Sequence, residues 1–223
     1  MSRFIRPSHF AFPYFSRNTS EFWRRWHISL TSWLKDYLYI PLGGNRTGKW
    51  TKIRNTFIIF LVSGLWHGAN WTFIAWGFLN ALYILPSIIF NSKKSSPDIV
   101  AKGKCLPTAK EFLNIGFTFL LILFAWIFFR AENLSHAFRF ILEIFSFSLF
   151  TIPNFPGLGK AISILFLTGI FMVIEWIGRD QQYAIALLGS KWCKPARWAV
   201  YYVIIICIFS LGGKDQKFIY FQF

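Results

Sequence analysis

The sequence is short of charged residues, and above all of acidic ones. Charged residues make up 15% of its 223 residues, with 9 Asp and Glu against 24 Lys and Arg. Soluble domains carry about a quarter charged residues. The mean hydropathy is +0.44, and the chain holds 28 Phe and 11 Trp. This composition argues against a soluble domain and favours a protein that lies in lipid.

Cysteine is scarce as well. Cys105, Cys193 and Cys207 form no CxxC pair and lack the spacing of metal ligands, so neither a disulfide framework nor a metal site is predicted. The sequence also lacks HExxH, GxSxG, a Walker loop and a dinucleotide fingerprint. No internal repeat is visible, and we expect residues 1–223 to form a single membrane domain.

The net charge is strongly positive at +15. In a soluble protein such a charge would favour nucleic acid as the partner. Here the cations lie between long apolar runs, so the anionic headgroups of a lipid bilayer are the expected partner, and no nucleic acid is expected.

Long apolar runs predict an all-α, polytopic membrane bundle. Residues 55–90 carry no formal charge. A single helix over this run would be about 54 Å long, against about 30 Å of hydrocarbon, so the run must break, tilt steeply or cross twice. Gly64, Gly68 and Gly77 are natural places to bend. Further spans are predicted at 112–129, at 161–177 and, shorter, at 198–211.

Residues 21–39 predict an amphipathic helix at the membrane interface. One apolar face is formed at helical spacing by Trp23, Trp26, Leu30, Trp33, Leu34 and Tyr37. Asn18 with Glu21 resembles a loose capping box, and Pro41 followed by glycines ends the run. The aromatic rings and arginines suit the headgroup layer. On these residues alone the helix is an interfacial anchor and His27 a hydrogen-bonded bystander.

The second feature is His67, inside the uncharged run. A charged side chain in the membrane costs several kcal/mol, so we expect a neutral imidazole, which is a competent general base. Gly64 and Gly68 would let another chain or a ligand approach, and Asn70 could orient the ring or donate to an oxyanion. The alternative is a histidine that hydrogen-bonds a backbone carbonyl at a helix break.

Two motifs stand in order along the chain, "FWRRWHISLTSWLKDYLYIPLGGNR" and "GLWHGANWTFIAWG". Together they closely resemble the membrane-bound O-acyltransferase family, in the branch of alginate O-acetyltransferases and teichoic acid D-alanyl-transfer proteins. The resemblance is dense over 12–83 and thin over 91–210. It returns in "FIYFQF" at 218–223.

The resemblance implies a set of site residues in an acyl-transfer tunnel. His67 maps to the family's catalytic histidine, and His27 maps to its upstream polar residue. The predicted substrate-binding residues are Asn70, Trp66, Trp26, Arg24 and Arg25. The cationic cluster of Arg24, Arg25, Lys35 and Arg46 could meet a donor phosphate or, equally, lipid headgroups.

The resemblance also implies the reaction. An acetyl or similar acyl group would pass from a thioester donor, acetyl-CoA or an acyl carrier protein, to an extracytoplasmic polysaccharide, cell-envelope group or acceptor protein. Such transfer needs a base for the hydroxyl proton and donors for the oxyanion. No bound cofactor is expected. Because no known motif places a serine or cysteine beside either histidine, we favour direct transfer in the bacterial inner membrane by a multi-pass protein.

Family members are longer, and their motifs lie past the midpoint. We therefore expect this chain to be the C-terminal half of a longer family-type protein, which leaves the activity of the chain alone open. Two other functions remain at this point. One is a proton-coupled transporter or channel that uses His67, and the other is a non-catalytic, truncated membrane scaffold.

Overall fold

A computed structural model describes residues 10–46, 48–90, 99–147, 151, 155–181, 183–185 and 192–211. Within these ranges every regular element is a helix, which confirms the predicted all-α fold. The α-helices are α1 (Thr19–Arg25), α2 (Ile28–Leu34), α3 (Lys49–His67), α4 (Trp71–Ile89), α5 (Ala109–Arg130), α6 (Leu134–Ile144), α7 (Leu158–Gly178) and α8 (Lys194–Leu211). The terminal "FIYFQF" motif lies outside the described residues.

The chain divides into two compact units, Met1–Leu158 and Gly159–Phe223. The first holds α1 to α6, and the second holds nearly all of α7 together with α8. The single domain predicted for residues 1–223 stays a prediction.

Within the described part of the chain, three helices, α4, α5 and α7, are long and apolar enough to cross a membrane. Helices α5 and α7 confirm that 112–129 and 161–177 lie in long apolar helices, and their crossing of the membrane stays a prediction. Only 22% of the apolar window of α5 and 6% of that of α7 is buried. Their remaining apolar surface suits contact with lipid chains, and the structure is that of a membrane protein.

The run 55–90 breaks once, as predicted, at Gly68. Helix α3 ends at His67, and Gly68 takes a φ of 153°, which side-chain-bearing residues rarely adopt. Helix α4 begins at Trp71, where the Asn70 side chain accepts a hydrogen bond from the backbone N–H of Thr72. His67 therefore lies at the end of a helix, in the turn of a hairpin, rather than midway along a span.

Gly64 and Gly77 do not bend the chain but let α3 and α4 pack closely. A Cβ atom added to Gly64 would overlap the carbonyl oxygen of Phe73, and one added to Gly77 would overlap that of Phe60. These contacts run in opposite directions along the two helices, so α3 and α4 are antiparallel. The hairpin depends on the absence of side chains at both positions.

The continuous helix predicted over 21–39 is wrong. Helix α1 ends at Arg25, Trp26 is extended, and His27 takes a left-handed φ of 44° before α2 begins. A π-helix, Lys35–Tyr39, follows α2. Trp26 packs against Phe10 and Trp126, with ring centroids 4.9 Å and 5.4 Å away. The apolar residues keep helical spacing along the sequence, but the chain still breaks at Trp26 and His27. Such tertiary packing can override the local preference for a helix.

Helix α1 is tied to α4 along its length by polar contacts. The Thr19 hydroxyl donates to the carbonyl of Tyr83 at 2.8 Å, and the hydroxyls of Ser20 and Ser87 lie 2.8 Å apart. One turn further on, the indole N–H of Trp23 donates to the side chain of Asn80 at 3.2 Å. These bonds fix the helix that leads into His27 against the helix that follows His67.

Candidate active site

His67 is surrounded by aromatic rings. The centroids of Trp66 and Phe129 lie 5.0 Å from that of the imidazole, Trp76 lies 5.4 Å away, and Phe73 lies 6.2 Å away. The Trp76 and Phe129 contacts are edge-to-face, a favourable arrangement of aromatic pairs. The rings come from α3, α4 and α5, so the hairpin and its neighbouring helix together orient the imidazole.

The surroundings of His67 favour its neutral form. The residue lies outside the three apolar helices. Burial, and then the nearby positive charge of His27, lowers the pKa of His67 from its ordinary 6.5 to about 4. The imidazole is therefore neutral at neutral pH. As pH falls from 6.5 toward 4, the unfolded chain gains a proton that the folded site resists, so the folded state loses stability.

His27 stands at the break between α1 and α2. Its left-handed backbone turns the chain between the end of α1 and the start of α2. Its Nδ1 lies 3.4 Å from the hydroxyl of Ser29, and its ring lies 6.1 Å from that of Phe10. Ser29 could not be predicted as a partner of His27, because this spacing matches no known catalytic motif.

The Trp76 ring links the two histidines, because it lies 5.4 Å from the His67 ring and 5.8 Å from the ring of Trp23, four residues before His27. They are far apart in sequence, and two breaks bring them together: the left-handed residue between α1 and α2, and the glycine turn between α3 and α4. The catalytic roles of His27 and His67 stay a prediction.

A cavity of about 330 Å³ opens beside His27. It lies between the segment from α1 to the π-helix on one side and helices α3 and α4 on the other. Its lining is mostly apolar, with polar groups from His27, Lys35 and several hydroxyl residues. His67 is not among the lining residues, but Ser63, one helical turn before it on α3, is. The cavity therefore reaches to within one turn of His67.

A second cavity, of about 610 Å³, lies between α1, α4 and α5. Arg17 and Arg24 line it together with Asn114 and Thr118. Ser20 and Ser87 line both cavities, so their hydroxyl–hydroxyl contact stands in the wall between them.

The predicted substrate-binding residues differ in their exposure and in their contacts. Arg24 is exposed on the larger cavity. Arg25 is half-buried, and its guanidinium contacts the Glu21 carboxylate at 2.6 Å, which supports a structural role. Trp26 belongs to an aromatic cluster and stacks on Phe22 at 5.5 Å.

The remaining two predicted residues flank His67. Trp66 is 53% exposed although its ring contacts the imidazole. The Asn70 amide caps α4 and donates to the carbonyl of Glu132 at 2.9 Å. Those two hydrogen bonds give it a structural role. Its predicted part in substrate binding stays a prediction.

Two buried polar groups of α4 were not predicted from the sequence. The Thr72 hydroxyl and the Trp76 indole N–H are buried and find no hydrogen-bond partner in the part of the chain that the structure describes. An unpaired buried polar group costs about 1–3 kcal/mol, so such groups are rare and point to a ligand, a water molecule or a function. A sequence alone gives no sign of which polar side chains stay unpaired.

The segment that carries the site is similar to known proteins. Residues 4–98 match the model of the membrane-bound O-acyltransferase family. The chain is 46% identical over 131 residues to the probable alginate O-acetylase of Pseudomonas fluorescens, covering 57% of this chain and 24% of that protein. It is 40% identical over 186 residues to the probable alginate O-acetylase of Azotobacter vinelandii, covering 82% and 34%.

A third relative has a different named acceptor. The peptidoglycan O-acetyltransferase of Helicobacter pylori is 44% identical over 131 residues, covering 59% of this chain and 23% of that protein. The chain thus spans between 23% and 34% of the length of these curated relatives. The segment that matches the model of the membrane-bound O-acyltransferase family, residues 4–98, carries both His27 and His67.

Proposed function

We propose that the protein acts as a membrane O-acyltransferase in the bacterial inner membrane. It transfers an acetyl or similar acyl group from a thioester to a hydroxyl of an extracytoplasmic polysaccharide or cell-envelope acceptor. The observation that carries the proposal is the aromatic enclosure of His67, at the helix break within the segment that matches the family. Two relatives are named as an alginate O-acetylase and a peptidoglycan O-acetyltransferase. These names support a polysaccharide or cell-envelope acceptor.

His67 serves as the general base in this proposal. The acceptor hydroxyl oxygen attacks the acyl carbonyl carbon while His67 takes the hydroxyl proton. The carbon–sulfur bond then breaks, and the thiolate leaves with the proton that His67 returns. A neutral imidazole is required for the first step, and its aromatic surroundings hold the ring in one orientation. His27 orients the imidazole of His67.

The two cavities suit the two ends of the acyl donor. The smaller one, beside His27, is mostly apolar and has room for a short acyl group. The larger one carries the exposed Arg24, which could bind a phosphate of coenzyme A or of an acyl carrier protein. Arg25 is less available for such a contact, because it is paired with Glu21. The wall formed by Ser20 and Ser87 separates these two regions.

The test is acyl transfer by the His67→Gln variant. Membranes containing the protein receive radiolabelled acetyl-CoA, and labelled polysaccharide or cell-envelope material is counted. Loss of a general base predicts a fall in rate of at least about 100-fold, with the amount of membrane-inserted protein unchanged. The matched control is His136→Gln, an exposed histidine on α6, which should keep the full rate. Near-normal transfer by His67→Gln would remove His67 as the base.

A further inference from the structure

Helix α4 carries a row of buried polar side chains, one of which, Trp76, packs on the ring of His67. Thr72, Trp76 and Asn80 are spaced four residues apart and so share one face of the helix. Their exposed fractions are 0%, 4% and 1%. This face packs inside the first unit, among rings from α1, α3 and α5.

The row is paired at one end and unpaired at the other. Asn80 accepts from the indole N–H of Trp23 and donates to the backbone carbonyl of Trp76 at 2.8 Å. The Thr72 hydroxyl and the Trp76 indole N–H have no partner among the described residues. The unpaired end is the one near the imidazole, because the Trp76 ring lies 5.4 Å from that of His67.

The chemistry of the two groups defines what they would bind. An indole N–H can only donate a hydrogen bond, and a hydroxyl can donate one as well. A ligand atom shared by both must therefore be an acceptor, such as a carbonyl or anionic oxygen. A metal cation or an ammonium group does not meet this requirement.

We propose that Trp76 and Thr72 form the donor pair that binds the acyl carbonyl oxygen beside His67 and holds it as an oxyanion. The role rests on the acyl-transfer function proposed above. When the acceptor oxygen bonds to the acyl carbon, the carbonyl π electrons move to its oxygen, and His67 holds the hydroxyl proton. When the carbon–sulfur bond breaks, the oxygen regains its double bond and the thiolate takes the proton. Two preorganised donors lower the barrier because the charge on the oxygen is greatest between these steps.

The experiment removes each donor while keeping the shape of its side chain. Trp76→Phe keeps an aromatic ring without the N–H, and Thr72→Val keeps a β-branched side chain without the hydroxyl. Each should lower kcat by about 100- to 1,000-fold, the range for loss of one oxyanion donor, with a much smaller change in KM. Thr72→Ser keeps the hydroxyl and should restore most of the rate. Trp71→Phe, at a 70% exposed position at the start of the same helix, is the matched control and should behave as the wild-type protein.

The outcomes separate this inference from the function on which it rests. If His67→Gln abolishes transfer while Trp76→Phe and Thr72→Val keep the wild-type kcat, the donor pair is wrong and the acyltransferase stands. If the wild-type protein transfers no acyl group, both fail.

A spectroscopic readout covers the case in which a variant does not fold. In the wild-type protein, the Trp76 indole N–H resonance should shift downfield on adding a non-hydrolysable acetonyl-CoA, which keeps the carbonyl. An unmoved resonance at saturating ligand would overturn the inference.

Discussion

Both histidines stand where a helix stops, but the two breaks are built differently. At His27 the residue itself takes the left-handed backbone, and its side chain faces a cavity. At His67 the following glycine takes the unusual backbone, and the imidazole is enclosed by four rings. One histidine is thus open to a ligand, and the other is fixed and kept neutral.

This difference suits the two histidines to different roles in the proposed site. A base must be neutral and held in place, which the aromatic surroundings of His67 provide. A residue that orients a partner or meets the substrate must be reachable, which the cavity beside His27 provides. Two helix breaks therefore bring together two imidazoles with different properties.

The largest predicted effect concerns the hairpin that positions His67. Gly77→Leu would force a side chain into the backbone carbonyl of Phe60, and α3 and α4 would have to separate. We expect a loss of at least about 3 kcal/mol of stability, at the upper end of overpacking costs. The yield of monodisperse protein in detergent and its thermal unfolding measure this loss.

The control for this prediction is Gly116→Leu on α5. A Cβ atom at Gly116 meets nothing within 4 Å, so this variant should keep nearly the stability of the parent. Equal stability of the Gly77→Leu and Gly116→Leu variants would show that the hairpin does not pack as closely as described.

A smaller effect is predicted at the other break. Left-handed backbone costs a residue with a side chain about 1–2 kcal/mol, and glycine avoids most of that cost. His27→Gly should therefore be more stable than His27→Ala by about 1 kcal/mol. At Ser32, inside α2, the order should reverse, because glycine is about 1 kcal/mol worse than alanine within a helix. Thermal unfolding of the four variants checks both signs, and a more stable alanine at residue 27 would contradict the left-handed break.

Much of the fold followed from the sequence because apolar run length has a direct physical meaning in a membrane. The uncharged run 55–90 was too long for one span, and the structure breaks it at Gly68. The Asn18 cap was also readable, since its side chain accepts from the Glu21 N–H at 2.8 Å. Local rules of this kind hold because they depend on neighbours in the chain.

The parts that could not be predicted depend on contacts between distant residues. The break at His27 goes with packing of Trp26 on Trp126 of α5, which no local pattern shows. The roles of Gly64 and Gly77 as packing surfaces appear only once α3 lies on α4. Likewise, the unpaired Thr72 and Trp76 have ordinary neighbours in the sequence, and only the folded core shows that they lack partners.

The central claim is that His27 and His67 act as one site, and a double-mutant cycle tests it most directly. Acyl transfer is measured for His27→Gln, His67→Gln and the double variant, each normalised to the amount of folded protein in the membrane. If His27 acts through His67, the double variant will be no slower than His67→Gln alone, because the partner has nothing left to assist. If the two rate losses multiply instead, the histidines act independently and the account is wrong.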